Sequence, residues 1–265
     1  MNKQKLTIVK IGGNVIDDEL TLKLFLQQFT VIPGNKILVH GGGKIATELS
    51  HKLNIEVKMH EGKRITDKAS LDITIMAYAG LINKKIVSLL QALSCNAIGL
   101  SGVDGNSIKA TKRPVKEIDY GYVGDLEVEN INNNFFHKLL EQGTIPVLSA
   151  ITHDGEGNML NTNADTIASY VAMGLSKIYD VKLIYCFEKN GVLKNIHDEL
   201  SVIKTINSKL YLELKNKKLI HSGMIPKMDN AFKALKNGVK SIQIGKAEQL
   251  LNILNNEHES TTLCN

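Results

Sequence analysis

Two short glycine runs lie near the start of the chain, each directly after an apolar segment. Gly12-Gly13 follows residues 6–11, and Gly41-Gly42-Gly43 follows residues 36–40. Glycine lets backbone N–H groups approach phosphate oxygens closely, and the N-terminus of a following helix adds partial positive charge. Lys10 lies just before the first run and can add a full charge. Either run alone would fit an ordinary strand-to-helix turn, but both runs with the lysine predict a site for a phosphoryl group.

Two later segments carry polar side chains near predicted helix starts. The segment 161–165 has the sequence N-T-N-A-D and lies between a strand and a helix. Asn163 is predicted to be the helix N-cap, and Asp165, in the first turn, is predicted to orient lysines rather than to titrate. The segment 223–227 has the sequence G-M-I-P-K, in which the proline suits an early helical position. Lys227 therefore lies near a helix start, although by itself it would be a surface residue.

The elements that must position these residues follow from the alternation of strand-like and helical segments. This alternation predicts an α/β fold with a largely parallel sheet covered by helices. The carboxyl ends of parallel strands meet at one edge of a sheet, so the glycine runs should lie together there. Strands are predicted at 6–11, 36–40, 97–100, 144–149, 182–187 and 241–244, and helices at 18–29, 44–53, 68–94, 132–142, 163–173, 208–215, 225–236 and 247–254.

The structure of three other segments can also be predicted. Residues 56–67 are polar and alternate in character, which predicts a hairpin over the edge of the sheet. The long helix 68–94 has an apolar stripe that fits a core helix and an oligomer interface equally well. Residues 255–265 are expected to form a flexible tail.

The composition favours a globular protein that binds small anions. The chain is 43% hydrophobic and 22% charged, with a net charge of +5. Aromatic residues make up only 5%, which leaves few rings to stack on bases, so nucleic acid is not expected as a partner. Neither the three cysteines nor the scattered histidines have metal-ligand spacing, so no metal bound directly by side chains is expected. No signal peptide or membrane-spanning apolar run is evident, which predicts a cytoplasmic protein without a membrane partner.

Residues 41–46 also fit a relaxed dinucleotide-binding pattern, G-x-G-x-x-A, which makes a Rossmann dehydrogenase a rival interpretation. That pattern should be followed, about twenty residues on, by an acidic residue at the end of the next strand. The polar hairpin occupies that position instead. No glycine stands five residues before Gly43-Lys44, so a Walker A motif is absent, and any use of ATP would need a different phosphate-binding loop.

Five motifs in order along nearly the whole chain together resemble the amino acid kinase family. They are K-I-G-G-N at 10–14, V-H-G-G-G at 39–43, G-K-R-I-T-D at 62–67, N-T-N-A-D at 161–165 and G-M-I-P-K at 223–227. The resemblance implies an α/β fold, a three-layer αβα sandwich around a mainly parallel central sheet. It further implies a single domain at 1–254, with an acylglutamate-binding lobe at about 1–174 and an ATP-binding lobe at about 175–254. A homodimer built on the long middle helix is also implied.

The activity that the resemblance implies is transfer of a phosphoryl group from ATP to the side-chain carboxylate of an N-acylglutamate, a reaction of arginine biosynthesis. Magnesium is expected to bind through the ATP phosphates. N-acetyl-L-glutamate is the expected substrate; N-succinylglutamate is the alternative, followed by a non-catalytic amino-acid sensor on the same fold. Both lysines of the motifs, Lys10 and Lys227, are intact, which argues against the sensor.

The resemblance also implies roles for individual residues. Lys10 and Lys227 would stabilise the transferring phosphoryl group, and Asp165 would organise the two lysines. Arg64 suits a substrate carboxylate, because a guanidinium can bind it in bidentate fashion. The chain departs from the family pattern at Glu188, where relatives usually carry Asp. The implied substrate contacts are Gly42, Gly43, Arg64 and Asn161, and the implied nucleotide contacts are Gly12, Gly13, Glu188, Asn190, Gly191, Gly223 and Met224.

Overall fold

The computed structural model of the chain describes residues 3–195, 197–217, 219–220, 224–257 and 259–265. The strands are β1 (Lys5–Ile11), β2 (Asn35–His40), β3 (Met59–His60), β4 (Lys63–Arg64), β5 (Ala97–Leu100), β6 (Thr111–Lys112), β7 (Gly124–Asp125), β8 (Ile145–Leu148), β9 (Ile151–His153), β10 (Met159–Asn161), β11 (Asp180–Phe187), β12 (Thr205–Asn207), β13 (Ser241–Lys246) and β14 (Thr261–Cys264). The α-helices are α1 (Gly13–Asp17), α2 (Glu19–Thr30), α3 (Gly43–Lys52), α4 (Lys68–Ile75), α5 (Asn83–Ala92), α6 (Asn133–Glu141), α7 (Ala164–Leu175), α8 (Ser208–Asn216), α9 (Ile225–Lys236) and α10 (Leu250–Leu254).

Eight of the described strands form one central sheet, in the order β12-β14-β13-β11-β1-β2-β8-β5. From β13 to β5 every neighbouring pair is parallel, whereas β14 runs antiparallel to β13. The predicted α/β class and the predicted strands are therefore confirmed. The sequence of β1, K-L-T-I-V-K-I, is buried along almost its whole length, as expected for a strand covered on both faces.

Helices cover both faces of this sheet and make the predicted three-layer sandwich. One layer contains α2, which packs against α5 and α10. The other contains α7, which packs against β1, β2, β11 and α9. Because β1, β2 and β11 are parallel, their carboxyl ends lie side by side, with Ile11 paired to both His40 and Cys186. The two glycine runs that follow β1 and β2 therefore lie at the same edge of the sheet.

The predicted long helix is continuous from Lys68 to Ala92 but is not uniform. Between α4 and α5 it contains a π-helical stretch, Met76–Ile82, a conformation that is frequent at functional sites. By length and composition alone this helix could cross a membrane, which the sequence had not led us to expect. However, Ile73, Ile86 and Leu90 are buried in the protein core, so it is a core helix of the sandwich.

The expectation of a flexible tail at residues 255–265 is wrong, because this segment contains β14. The strand lies inside the sheet between β12 and β13. Thr261 and Leu263 are buried, and Thr261 Oγ1 accepts a hydrogen bond of 2.8 Å from the Val192 N–H. The sequence T-T-L-C is too short to show a strand period, and its pairing partners are distant in the chain.

The predicted hairpin is present as β3 and β4, which pair antiparallel through Met59 with Arg64 and His60 with Lys63. Glu61 and Gly62 make the turn, both with positive φ. Just after the hairpin, a backbone hydrogen bond anchors it to the body of the protein: the Thr66 N–H donates to Tyr120 O at 2.9 Å. The hairpin places the Arg64 side chain beside the second glycine run.

The side chain of His40, the last residue of β2, is fully buried behind that glycine run. Burial disfavours the charged imidazolium and lowers its pKa from 6.5 to about 4, although a hydrogen bond to the Gly41 carbonyl raises it slightly. In the unfolded chain the histidine keeps its ordinary pKa of 6.5. Between pH 6.5 and about pH 4 the unfolded state therefore binds more protons than the folded state, and the free energy of unfolding falls as the pH falls through this range.

We expect the free energy of unfolding to fall between pH 7 and pH 5, with His40 contributing about 2 kcal/mol of that loss. Urea unfolding followed by circular dichroism at both pH values, for the wild type and for His40→Asn, isolates this contribution. The variant should lose about 2 kcal/mol less than the wild type over this interval. An identical pH dependence in the two proteins would contradict the assignment.

Candidate active site

The centre of the site is the carboxylate of Asp165, which lies between two lysines. Asp165 is in the first turn of α7, Lys10 is near the end of β1, and Lys227 is in the first turn of α9. Asp165 Oδ1 lies 2.6 Å from Lys10 Nζ, and Asp165 Oδ2 forms an ion pair with Lys227 Nζ. Residues separated by more than 200 positions in the sequence thus converge on one carboxylate.

These three charges lie largely out of water, with Lys10 and Asp165 only 8% and 7% exposed. Burial alone would raise the pKa of Asp165, but Lys10 and Lys227 outweigh it and bring the pKa down to about 2. Burial lowers the pKa of Lys10; Asp165 offsets part of that shift, and Lys227 adds to it. The carboxylate therefore stays ionised at neutral pH and holds two ammonium groups close together. With both lysines protonated, one positive charge is in excess, which suits a phosphoryl group.

Two helix N-termini face this charge cluster. In one of them a capping side chain occupies the first-turn N–H groups, and in the other no side chain does. At the start of α7, Asn163 caps the helix, with its side-chain oxygen accepting from the N–H groups of Asp165 and Thr166. At the start of α3 the N-cap is Gly42, which has no side chain to accept these bonds. The first-turn N–H groups of α3 are therefore available to an anionic ligand, and the helix dipole favours one there.

Gly42 fits only because it lacks a side chain. Its φ is +155°, and a Cβ atom would lie 2.1 Å from Ile82 Cδ1 and 3.1 Å from Tyr78 Cδ1. Both of these side chains come from the π-helical stretch of the long helix. The second glycine run therefore packs directly against that stretch, and any larger residue at position 42 would clash with it and strain the turn.

Two cavities open on either side of the charge cluster. One, of about 670 Å³, extends over the carboxyl end of β11 towards residues 188–195. The other, of about 720 Å³, extends over the second glycine run towards the β3–β4 hairpin. Both volumes lie in the range of small-molecule sites. The cavities share a boundary made by Lys10, Gly13, Asn14, Asp165 and Lys227. A group moved from a ligand in one cavity to a ligand in the other would pass the two lysines.

Most of the residues singled out in the sequence line these cavities. Asn190 does not line either cavity, and Gly223 lies outside the described residues. The three proposed catalytic residues and Gly13 lie at the shared boundary. The larger cavity is lined by Gly42, Gly43, Arg64 and Asn161, and the smaller one by Gly12, Glu188, Gly191 and Met224.

Arg64 lines the larger cavity and is held beside the second glycine run. Its Nη2 atom donates to Gly43 O at 3.0 Å and to Thr47 Oγ1 at 2.7 Å. Asn161, at the end of β10, donates from Nδ2 to Thr66 Oγ1 at 3.0 Å. The guanidinium is thus positioned by neutral oxygen atoms, and among the described residues Arg64 forms no ion pair with a carboxylate. It remains able to bind an anionic group of a ligand.

The sequence did not reveal several residues of the larger cavity. Arg113 lines it and forms a bidentate pair with Asp125, with a shortest contact of 2.6 Å. Tyr78 lines it from the π-helical stretch, where helical periodicity gave no sign of a cavity. Asn14 lies at the shared boundary and belongs to the K-I-G-G-N motif, so the motif was a usable signal for it. Arg113 had no comparable signal.

Comparison with known proteins agrees with this architecture. The family model described as "Amino acid kinase family" matches residues 5–246. The acetylglutamate kinase of Cytophaga hutchinsonii is 52% identical, with 95% of each chain covered. The acetylglutamate kinase of Phocaeicola vulgatus is 50% identical, covering 94% of this chain and 96% of that protein.

Among solved structures, smu.665 from Streptococcus mutans superposes with a TM-score of 0.75 at 30% identity, covering 91% of this chain and 94% of that one. The family match includes the strands that carry both glycine runs and the helices that carry Asp165 and Lys227. The family pattern and the whole-sequence comparison therefore agree. On this evidence the chain belongs to the amino acid kinase family.

Proposed function

We propose that this protein transfers the γ-phosphoryl group of ATP to the side-chain carboxylate of N-acetyl-L-glutamate, a reaction of arginine biosynthesis. The observation that carries this proposal is the bridge of Lys10, Asp165 and Lys227 at the boundary between two cavities. Relatives named acetylglutamate kinase, about 50% identical over nearly the whole chain, support the choice of substrate. The need for ATP supports a cytoplasmic location.

The two cavities suit the two substrates by their linings. The smaller cavity combines apolar side chains, such as Val192, Leu219 and Ile220, with Lys189 and Lys194, which suits a base and its phosphates. The larger cavity contains Arg64 and Asn161, which suit the charged and polar groups of an acylated amino acid. This division supports an acylglutamate-binding lobe at about 1–174 and an ATP-binding lobe at about 175–254.

In this arrangement the protein acts mainly by alignment and charge. A glutamate side-chain carboxylate is already ionised at neutral pH, so it can attack the phosphorus without a general base. Lys10 and Lys227 would meet the charge that builds up on the transferring phosphoryl oxygens, and Asp165 would hold both ammonium groups in place. The N–H groups at the start of α3 would add further donors on the acceptor side.

Magnesium would enter with the ATP phosphates rather than through a protein site. Within the described residues, no group of three or more histidine, cysteine, aspartate or glutamate side chains could hold a metal ion. Both oxygens of Asp165 already pair with lysines. Magnesium would supply further positive charge on the phosphates during transfer.

The direct test is an assay of the purified protein with ATP, magnesium and an acylated glutamate, in the presence of hydroxylamine to trap the acyl phosphate. Hydroxamate should form with N-acetyl-L-glutamate. Running the same assay with N-succinylglutamate decides the acyl group, because the higher kcat/KM identifies the substrate. If neither substrate gives hydroxamate while the protein is folded and binds ATP, the chain is a sensor rather than a kinase.

Replacing Lys10 with methionine should lower kcat by about 100- to 1,000-fold, because it removes one donor to the transferring group. Lys240→Met is a matched control, since Lys240 also forms an ion pair with an aspartate, Asp180, at 2.6 Å but lies outside both cavities. The control should keep wild-type kcat. A folded Lys10→Met protein with full turnover would refute the assigned role.

We also propose that the protein is a homodimer that pairs through the long helix. Its outward side presents apolar side chains, with Met76 and Leu81 exposed by 50% and 60%. Gly80 lies between them and leaves room for close approach of a second helix. Exposed apolar side chains on a helix that otherwise packs in the core are typical of an interface.

Replacing Leu81 with glutamate should convert the dimer into a monomer, because it places charge within this apolar side. Light scattering coupled to size-exclusion chromatography measures the mass directly. Leu212→Glu is the control, since Leu212 on α8 is 57% exposed but lies on a different helix. A Leu81→Glu protein that keeps the wild-type mass would place the interface elsewhere or show that there is none.

A further inference from the structure

The buried histidine at the end of β2 has a position that the reaction described above does not explain. His40 lies directly before the second glycine run, yet its side chain is 0% exposed and lines neither cavity. It therefore cannot contact a substrate. A polar ring in an otherwise apolar core must instead be satisfied by protein groups, and these groups show what the ring holds.

The hydrogen bonds of His40 permit one tautomer. Asn83 Nδ2 donates to Val147 O at 3.0 Å, so the amide nitrogen of Asn83 faces this part of the core. The same nitrogen lies 3.0 Å from His40 Nε2, which must therefore accept. The proton is then on Nδ1, which lies 2.9 Å from Gly41 O and donates to it. His40 thus links the long helix to the carbonyl of the first glycine in the run.

Asn83 is itself held firmly. It is the first residue of α5, directly after the π-helical stretch, and is 1% exposed. Its Oδ1 lies so close to β5 that a Cβ atom at Gly99 would be 2.0 Å from it. Lys84 Nζ also lies 3.3 Å from this oxygen and donates to Gly99 O at 3.1 Å. The amide of Asn83 therefore has a single orientation.

Holding a peptide carbonyl also fixes the N–H on the other side of the same peptide. The peptide group is planar, and in the trans form its C=O and N–H point in opposite directions. Gly41 O points towards buried His40, so the Gly42 N–H points the other way, where Gly42 lines the larger cavity. Among the described residues this N–H has no acceptor. It is free to donate to a ligand.

We infer that His40 is a positioning residue, which together with Asn83 fixes the Gly41–Gly42 peptide so that the Gly42 N–H donates to the phosphoryl group during transfer. This inference rests on the proposed kinase activity for its catalytic consequence. Its structural part, the orientation of the peptide, does not depend on that activity. Without this support glycine residues would leave the peptide free to rotate, because they impose little conformational restriction of their own.

Two substitutions at the same position separate positioning from simple loss of the ring. An asparagine side chain can place its N–H₂ where histidine has Nδ1, so His40→Asn keeps a donor to Gly41 O. A glutamine side chain reaches the position of Nε2 instead, so His40→Gln keeps the contact with Asn83 and loses the one with Gly41. We expect His40→Gln to lose about 10- to 100-fold in kcat with little change in KM for ATP, and His40→Asn to stay within about threefold of the wild type.

Two further variants complete the test. Asn83→Ala should lower kcat less than His40→Gln, and the double variant should be no worse than His40→Gln alone, because both act through one hydrogen-bonded chain. His137→Gln is the control, since His137 also has a hydrogen-bonded Nδ1, 2.7 Å from Tyr179 Oη, and lies outside both cavities. It should keep wild-type kcat. Thermal unfolding of every variant excludes loss of the folded state.

Equal losses of kcat in His40→Gln and His40→Asn, or full turnover in folded His40→Gln, would overturn the inference. So would additive effects in the double variant. A crystal structure of His40→Gln decides the structural part independently of the reaction: the Gly41–Gly42 peptide should be rotated relative to the wild type, and an unchanged peptide would overturn the inference. Absence of hydroxamate from the wild type with either substrate would instead count against the proposed function alone.

Discussion

The site depends on a single buried carboxylate that pairs with two ammonium groups from distant parts of the chain. Neither lysine could be buried alone, because an unpaired charge in the protein interior is costly. Asp165 makes both acceptable, and its own charge is maintained by them. Because the carboxylate belongs to the first turn of α7, the packing of that helix on β1, β2 and β11 sets the position of both ammonium groups. The architecture of the sandwich thus determines where positive charge lies between the two cavities.

The position of the second glycine run is likewise set by a neighbouring helix. Gly42 rests on Ile82 and Tyr78, and the adjacent Gly41 carbonyl is held by His40. All of these supports lead to the long helix, whose outward side is the proposed dimer interface. In this proposal, one rigid helix would couple the dimer interface to the support of a ligand-binding turn. The π-helical stretch is where this helix departs from regular geometry, and it is also where the glycine run contacts it.

Much of this could be predicted from the sequence, and the reasons differ between residues. Lys10 and the glycine runs were accessible because parallel strands end at one edge of a sheet, so local spacing is enough. Lys227 was accessible only through its motif, since alone it would be a surface lysine. Asn83 could not be predicted, because helical periodicity identifies apolar stripes but does not show which polar residue in them is buried. Strand β14 was missed because its pairing is determined by distant strands rather than by local sequence.

The place of β14 in the sheet also constrains how the protein folds during synthesis. The last strand of the described chain lies between β12 and β13, not at an edge of the sheet. Residues 261–264 must therefore leave the ribosome before β14 can pair with β13 and connect β12 to the sheet. Until then β13 presents an open edge, which invites pairing with another chain. The half of the sheet that contains β1, β2, β5 and β8 has all its strands available much earlier, so the two halves of the molecule become complete at different times.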